Sequence, residues 1–367
     1  MPVKSRKWVF VGLGFALLGY LLYRSRHLLN LSAFSGEKLW DAVKSANPLY
    51  ILLSVLLIYV CYFLRTLRWW NFQKHVGQAC LWHIYGMTLA GFSAVFLLGR
   101  AGEPIRPLLI SRKDNVPLAD TFGIYALERI FDAAASAILA AVGLLIFTAK
   151  RHGHPEETAS AFETGAKTAG SILCLGVLVA VALLVYLRIH GTEVLERRMQ
   201  SWLATHGWKG KVARILLGFS RGVQTIRTWG DLVFALVVSA VHWLLVIEIY
   251  YLVALAFGGK LATLRFQDAM LVLVFTLVGS AVQLPGVGGG SQALTILAYT
   301  SLFNIEKEPA VAAAMVLWLI TFAICSVAGV PLLVKEGWSI GELKRMRATE
   351  NEELDAEMTA QRNEPAK

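Results

Sequence analysis

The chain has 367 residues, of which 56% are apolar and 16% are charged, whereas soluble domains contain about 45–50% apolar and about 25% charged residues. This composition, the mean hydropathy of +0.57 and the long apolar runs exclude a soluble domain, a disordered chain, collagen and a disulfide-rich secreted scaffold. The composition therefore predicts an all-α, polytopic integral membrane helical bundle.

The formal net charge is +10, an excess that is typical of cytoplasmic loops facing anionic lipid headgroups and that does not require a nucleic-acid partner. The four cysteines are scattered through apolar segments without a Cys-x-x-Cys pair, so we expect neither a disulfide framework nor a zinc site. A basic N-terminus precedes the apolar run 8–23 without a small-residue cleavage site. This favours an uncleaved first span over a signal peptide.

Apolar segments that approach the roughly 20 residues needed to cross a bilayer recur along the chain. In order they are 8–23, 49–64, 82–98, 118–149, 169–188, 230–257, 267–284, 287–303 and 309–334. Basic residues dominate the block 189–228, and its apolar positions recur at helical spacing. We expect this block to be an amphipathic segment on the cytoplasmic membrane face.

Two segments are interrupted by glycine and proline. An even number of crossings must separate the basic N-terminus from the basic block, so we expect 82–98 to run into 99–107 and return as a hairpin from the cytoplasm. In the second half, 267–303 is either two full spans or a hairpin from the outside, broken at 285–290. Opposed hairpins, one in each half, would form an inverted pair, and interrupted segments in both halves mark the binding sites of transporters.

The prediction is therefore about eight spans in a cell membrane, with both termini in the cytoplasm. One transmembrane domain is expected over residues 1–335, followed by a charged tail over 336–367 that has few large apolar residues. A solvated helix or a disordered segment is the expectation for this tail.

Charged residues at membrane depth are concentrated around the first interruption. A charge in the hydrocarbon layer costs about 2.5–3.5 kcal/mol on insertion scales, so such residues normally pair, line water or contact a ligand. Glu128 and Asp132 share a helix face. The charges either staple the hairpin to that helix or orient arginines for a phosphate headgroup. The set consists of Arg100, Glu103, Arg106, Glu128, Arg129 and Asp132.

The glycine-rich stretch has neither the Rossmann order of glycines nor a P-loop Gly-Lys-Ser/Thr, so no nucleotide is expected. In a membrane it predicts an unwound helix with exposed backbone groups, whose restart near Ser291 would direct a positive helix end at an anion. The alternative is a kink for close helix packing. The candidate residues are Pro285, Gly286, Gly288, Gly289, Gly290, Ser291 and Gln292.

Weaker candidates are His242 and Glu248, which are six residues apart in one span and so lie on different helix faces. Arg65 and Arg68 precede two tryptophans, a pattern typical of an interfacial anchor. No zinc motif or serine-hydrolase triad is present, and neither a metal nor another cofactor is expected.

Two motifs resemble the signature of the lysylphosphatidylglycerol synthase transmembrane-region family, whose members are also called flippase-like domain proteins. The first is Gly99-Arg100-Ala101-Gly102-Glu103-Pro104-x-Arg106 with Glu128-Arg129-x-x-Asp132 some twenty residues later, and the second is Pro285-Gly-x-Gly-Gly-Gly. The family often carries a glutamate soon after these glycines, where this sequence has Gln292. The resemblance covers the chain to about residue 335.

This resemblance implies a lipid-handling membrane protein of bacteria or archaea. In fused family members, the region is associated with flipping aminoacylated phosphatidylglycerol, which a separate soluble domain makes. That domain is missing here, so lipid aminoacylation is not expected, and polyprenyl-phosphate-linked sugars or other glycolipids are plausible cargoes.

The main prediction is a translocator, rather than an enzyme, that moves an anionic phosphate-bearing lipid between leaflets through a polar mid-membrane cavity. Arg100, Arg106 and Arg129 would receive the headgroup. The alternatives are a membrane-embedded transferase that uses a carboxylate base on a lipid-linked donor, and a non-transport assembly subunit. Expected partners are membrane lipids, a second copy of the chain or a lipid-synthesis enzyme. If transport is ion-coupled, the candidate proton carriers are Glu103, Glu128 and Asp132.

Overall fold

The computed structural model describes residues 36–151, 225–280 and 288–336, together with positions 175, 179, 283 and 284. Several predicted features fall outside these residues. They are the segment 8–23, nearly all of 169–188, the basic block up to residue 224 and the tail from residue 337.

The described chain is built from helices, which confirms the all-α prediction. The α-helices are α1 (Gly36–Ser45), α2 (Pro48–Gln73), α3 (Leu81–Leu98), α4 (Ile105–Asp114), α5 (Leu118–Arg151), α6 (Trp229–Phe257), α7 (Phe266–Gly279), α8 (Gly290–Leu297), α9 (Lys307–Trp318) and α10 (Cys325–Lys335). Short 3₁₀ turns lie at Gly99–Gly102 and Leu261–Thr263, and π turns at Ala298–Leu302 and Leu319–Ala323. Two strands of two residues each, β1 (Gln283–Leu284) and β2 (Gly288–Gly289), pair antiparallel.

Within the described residues, four helical stretches are long and apolar enough to cross a membrane. They are α2, α3, α6 and the continuous stretch Lys307–Lys335, which joins α9 to α10. They match the predicted segments 49–64, 82–98, 230–257 and 309–334. A helix rises about 1.5 Å per residue, so the 26 residues of α2 exceed the roughly 30 Å of the hydrocarbon layer. The chain is therefore a membrane protein, and the count of eight spans stays a prediction.

Two compact units divide the chain. The charged unit comprises Tyr59–Ile138, Ile172–Trp243 and Thr321–Lys367, and the glycine-rich unit comprises Met1–Ile58, Leu139–Ser171 and Leu244–Ile320. The division falls within α2, α5 and α6, and each unit is described by itself.

In the charged unit, α3 and α4 form the first helical hairpin. Gly99 ends α3 with a positive φ of 66°, which favours glycine. Pro104 then precedes α4 with its φ at −68°, and Asn115 ends α4 in the left-handed conformation. The 10 residues of α4 correspond to about 15 Å, half of the hydrocarbon thickness. The first interrupted segment is therefore a helix followed by a short returning arm.

The core beneath this hairpin is aromatic and aliphatic. Side chains from four helices of the unit are fully buried there: Trp69 and Phe72 of α2, Ile84 of α3, Ile110 of α4, and Ile124 and Leu127 of α5. On another side of α3, Gly329 of α10 approaches its backbone closely. The hairpin is thus held by packing on both faces of α3.

In the glycine-rich unit, α7 and α8 form the second helical hairpin. The strands β1 and β2 flank residues 285–287, and Gly289 has a φ of 133°, which only glycine adopts readily. A Cβ at Gly279 would lie 2.6 Å from the carbonyl carbon of Gly290, so the two arms meet with their backbones in contact. The 14 residues of α7, about 21 Å long, are also shorter than a full span.

We expect Gly329→Ala to lower the free energy of unfolding by about 1–3 kcal/mol, the usual cost of overpacking a filled site. The new methyl group would collide with Ser93 Oγ and the Leu89 carbonyl oxygen. Ser93 cannot rotate freely, because its hydroxyl donates to the carbonyls of Leu89 at 2.8 Å and Cys325 at 3.2 Å. The measurement is the midpoint of thermal unfolding in detergent.

The matched control is Gly86→Ala on α3, where the nearest atom to the new methyl group is Leu332 Cδ1 at an ordinary 3.8 Å. Alanine is also the better helix former, so this variant should unfold at or above the wild-type temperature. Equal midpoints for both variants would contradict the proposed close packing.

Candidate functional site

A buried carboxylate from α5 connects two arginines from other helices. Glu128 is 1% exposed. Its Oε1 accepts a hydrogen bond from Arg68 Nη2 of α2 at 3.0 Å, and its Oε2 accepts one from Arg106 Nη1 of α4 at 2.6 Å. Charge-assisted bonds of this length are the strong class of protein hydrogen bonds. Glu128 therefore ties the short arm of the hairpin to both α2 and α5.

Asp132, one turn further along α5, completes the network. Its Oδ1 accepts a hydrogen bond from Arg68 Nη2 at 2.9 Å, and its Oδ2 accepts one from Arg65 Nη1 at 2.9 Å. Arg129 Nη2 lies 3.1 Å from the same Oδ2. Because one guanidinium, that of Arg68, bonds both carboxylates, the two acids and their arginines form a single unit.

The interpretation of Arg65 and Arg68 as an interfacial anchor is wrong. Arg68 is 1% exposed and also donates to Ser239 Oγ at 2.8 Å. The adjacent tryptophans suggested an interface, but the charges on α5 indicated that arginines from another helix are buried beside it. Glu128 and Asp132 outnumber Arg129 on that helix, and a buried carboxylate requires a cation from elsewhere.

Arginines outnumber carboxylates in this network by four to two. Several buried guanidinium nitrogens consequently have no hydrogen-bond partner among the described residues. They are Nε of Arg68, Nε and Nη2 of Arg106, and Nε of Arg129. A buried donor left unsatisfied costs about 1–3 kcal/mol, and more for a charged group. The network therefore keeps an excess of cationic donors over the carboxylates that pair with them.

A small, open pocket is lined by two of these arginines, Arg106 and Arg129, and is called the arginine pocket below. It is lined by Gly91, Phe92, Val95, Glu103, Arg106, Tyr125 and Arg129. Gly91 leaves room for the arginine, since a Cβ there would lie 2.5 Å from Arg106 Cβ. The lining combines two cations and one carboxylate with an apolar wall.

Aromatic rings hold the two pocket arginines. The Arg106 guanidinium lies over the Trp69 ring at 4.6 Å, and the Arg129 guanidinium lies over the Tyr125 ring at 5.2 Å. Stacking leaves the edge of a guanidinium, where its N–H groups are, free to bind an oxyanion. The Tyr125 hydroxyl donates to Glu103 Oε2 at 2.6 Å, which fixes that carboxylate at the pocket wall.

Five of the six charged candidates are thus brought together by the structure: Glu103, Arg106, Glu128, Arg129 and Asp132. Arg100 lies in the 3₁₀ turn Gly99–Gly102, and its side chain is outside the described part of the chain. The part of these six residues in binding a substrate stays a prediction.

The glycine-rich candidates belong to the second hairpin. Pro285 and Gly286 lie outside the described residues, Gly288 and Gly289 form β2, and α8 begins at Gly290. Ser291 is 1% exposed, and its Oγ has no partner among the described groups. Nearby in this hairpin, Thr276 Oγ1 and Thr295 Oγ1 are 2.6 Å apart. The polar groups described at the junction of the two arms, Ser291, Thr276 and Thr295, are neutral.

Gln292 has a definite local contact, in which its Oε1 accepts the backbone N–H of Gly289. Glutamine and glutamate both serve at the third position of a helix as the acceptor of a capping box. The resemblance places a glutamate soon after the glycines. A capping contact gives one structural reason why either residue is compatible with this position.

The secondary candidates belong to different units. His242 is buried in the charged unit, and its Nδ1 lacks a partner among the described residues. Glu248 is half-buried in the glycine-rich unit. Across the described residues, no group of three or more His, Cys, Asp or Glu side chains could hold a metal ion.

Comparison with known proteins gives two matches. The family described as "Lysylphosphatidylglycerol synthase TM region" matches residues 9–329. A protein described as "UPF0104 membrane protein", from Methanothermobacter thermautotrophicus, is 23% identical over 320 residues, which is 82% of this chain and 90% of that protein. No solved structure matches the chain.

We expect Arg68→Gln to lower the free energy of unfolding by about 3–5 kcal/mol, because it leaves two buried carboxylates short of their shared cation. Arg129→Gln should cost less than about 1 kcal/mol, as is usual for a solvent-accessible pair, since the Arg129 side chain is 39% exposed. Denaturant or thermal unfolding in detergent measures both. A larger loss for Arg129→Gln than for Arg68→Gln would contradict this division.

Proposed function

Because the chain belongs to the lysylphosphatidylglycerol synthase TM-region family, we propose that it is a lipid translocator. It moves an anionic, phosphate-bearing phospholipid or glycolipid between the leaflets of the cell membrane. The observation that carries this proposal is that Arg106 and Arg129, which both line the arginine pocket, keep buried guanidinium donors without a partner among the described residues.

The donors suit a phosphate. Arg106 offers Nε and Nη2, two adjacent N–H groups on one edge of its guanidinium, and Arg129 offers Nε. The two parallel N–H groups of one guanidinium edge match two oxygens of a phosphate, and this bidentate geometry is the reason arginine is common at phosphate sites. A headgroup phosphate would satisfy three charged donors that otherwise stay buried and unpaired.

The surroundings suit a lipid rather than a soluble anion. Phe92 and Val95 form the apolar wall of the pocket, and α3, from which both come, is one of the helices able to cross a membrane. A polar headgroup could therefore enter the pocket while its acyl or prenyl chains stay in the bilayer. In this proposal the two hairpins are re-entrant, and both termini are cytoplasmic.

The carboxylates have a supporting role in this proposal. Both oxygens of Glu128 and both oxygens of Asp132 already accept hydrogen bonds from arginines. A general base for a transferase needs a free lone pair directed at its substrate. The contacts of these two acids favour positioning of the cations over chemistry on a lipid-linked donor.

We expect Arg106→Gln to reduce lipid movement by at least about tenfold, because losing a charged hydrogen bond to the headgroup costs about 1.5–3 kcal/mol. The assay uses proteoliposomes with a phosphatidylglycerol that carries a fluorophore, and follows its quenching from outside. Arg112→Gln is the matched control, since Arg112 is exposed on the same helix and does not line the pocket. Equal rates for Arg106→Gln and wild type would overturn the proposal.

Gly91→Ala tests the same site without changing any charge. The added methyl group would displace Arg106 from its place over Trp69, since the two Cβ atoms would be 2.5 Å apart. A misplacement of about 1 Å in a binding group can cost up to about a hundredfold in rate, so we expect a loss of about tenfold or more. Gly86→Ala, on the same helix with open contacts, should transport at the wild-type rate. If Gly91→Ala transports as well as Gly86→Ala, the position of Arg106 is not important.

A further inference from the structure

We propose that Glu103 makes the arginine pocket selective for a phosphodiester whose polar substituent donates a hydrogen bond, and against a phosphomonoester. This inference rests on the proposed function and names the class of headgroup. It assigns Glu103 as a specificity-determining residue of the pocket rather than as a member of the buried ion-pair network.

The first observation is the mixed charge of the lining. Arg106, Arg129 and Glu103 all line the pocket, and both arginines keep buried N–H donors without a partner among the described residues. A site built only to attract negative charge would not place a carboxylate among its lining groups, because juxtaposed like charges disfavour binding. Glu103 therefore distinguishes among anions that the two arginines alone would accept.

The second observation is that the hydrogen bond described for the Glu103 carboxylate comes from a tyrosine and not from an arginine. The only described hydrogen bond of its carboxylate comes from the Tyr125 hydroxyl, at 2.6 Å to Oε2. Glu128 and Asp132, by contrast, have both oxygens bonded to arginines. Among the described groups, Glu103 Oε1 consequently remains an acceptor available to a ligand.

The two arginines and the carboxylate of the lining favour a phosphate that carries a single negative charge. A phosphodiester carries one negative charge over two terminal oxygens, which the N–H groups of Arg106 and Arg129 can satisfy. A phosphomonoester carries about −1.5 to −2 at neutral pH over three terminal oxygens. With two oxygens at the arginines, the third would come close to the Glu103 carboxylate, and the repulsion would weaken binding.

The available oxygen of Glu103, Oε1, determines which chemical group the second ester substituent of the ligand should carry. The hydrogen of the Tyr125 hydroxyl is directed at Glu103, so Tyr125 cannot also donate it to the phosphate. The second ester group of the ligand then occupies the space beside Glu103, where Oε1 can accept a hydrogen bond. A hydroxyl or ammonium group on that substituent supplies the donor, whereas a plain alkyl substituent supplies none. A lipid headgroup and a free glycerol phosphodiester share this chemistry.

The experiment compares three lipids with identical acyl chains on the purified full chain by native mass spectrometry. Phosphatidylglycerol is a diester with hydroxyl donors, phosphatidylmethanol is a diester without them, and phosphatidic acid is a monoester. We expect the wild type to prefer phosphatidylglycerol over each of the others by about tenfold in Kd, a ratio that one unfavourable charge contact or one lost charged hydrogen bond produces.

Two substitutions of Glu103 separate charge from folding. Glu103→Gln keeps an oxygen for Tyr125 but removes the charge, so its preference over phosphatidic acid should fall to about twofold, mainly through tighter binding of phosphatidic acid. Glu103→Asp keeps the carboxylate and should keep the wild-type preference. An unchanged preference in Glu103→Gln, or equal wild-type binding of all three lipids, overturns the inference.

Failure of the proposed function gives a different result. Arg106→Gln should weaken all three lipids together, and if it binds them as the wild type does, the phosphate site itself is wrong. The last ligand tested is soluble glycerophosphoglycerol, a phosphodiester without acyl chains. If it displaces phosphatidylglycerol with an equal Kd, Glu103 still selects the diester, but the ligand is a free phosphodiester and the lipid proposal is overturned.

Discussion

The bond between Arg106 and Glu128 is the interaction on which the charged unit depends. At 2.6 Å and almost fully buried, it ties the short arm α4 to α5 and holds Arg106 at the arginine pocket. Removing Glu128 would leave the buried Arg106 without its carboxylate, whereas removing Arg106 would leave Glu128 with Arg68 alone, and a buried charge that loses its partner is costly. The position of the short arm and the position of Arg106 at the pocket therefore both depend on this contact.

The arginines of the network differ in whether they contact only the protein or also line the pocket. Arg68 is enclosed and bonds Glu128, Asp132 and Ser239, so its contacts are internal to the protein. Arg106 and Arg129 line the pocket, and each guanidinium lies over an aromatic ring. An arginine already held by a carboxylate and a ring loses little entropy on binding an anion, which favours affinity.

Sequence patterns predicted the membrane class, the helices around 49–64, 82–98, 230–257 and 309–334, and both interruptions, because hydropathy and glycine or proline act locally. The face shared by Glu128 and Asp132 was also predictable from helical spacing. The buried role of Arg68 was not, since tryptophan neighbours are equally compatible with an interface and only tertiary contact distinguishes the two. The cap formed by Gln292 likewise depends on the exact residue at which α8 begins, the least predictable property of a helix.

Glycine contacts surround α3 on more than one side. Gly91 admits Arg106, Gly102 touches the backbone of Ala94, and Gly329 of α10 meets Leu89 and Ser93. Interfaces in which backbones touch leave no space for side chains to change rotamer. Closely packed interiors shift between discrete arrangements and do not deform gradually. The helices α3 and α10 and the short arm therefore form one closely packed body. The arginine pocket lies between this body and Tyr125 and Arg129 of α5, so a change in the width of the pocket requires the body to move against α5, to which α4 is connected through Asn115.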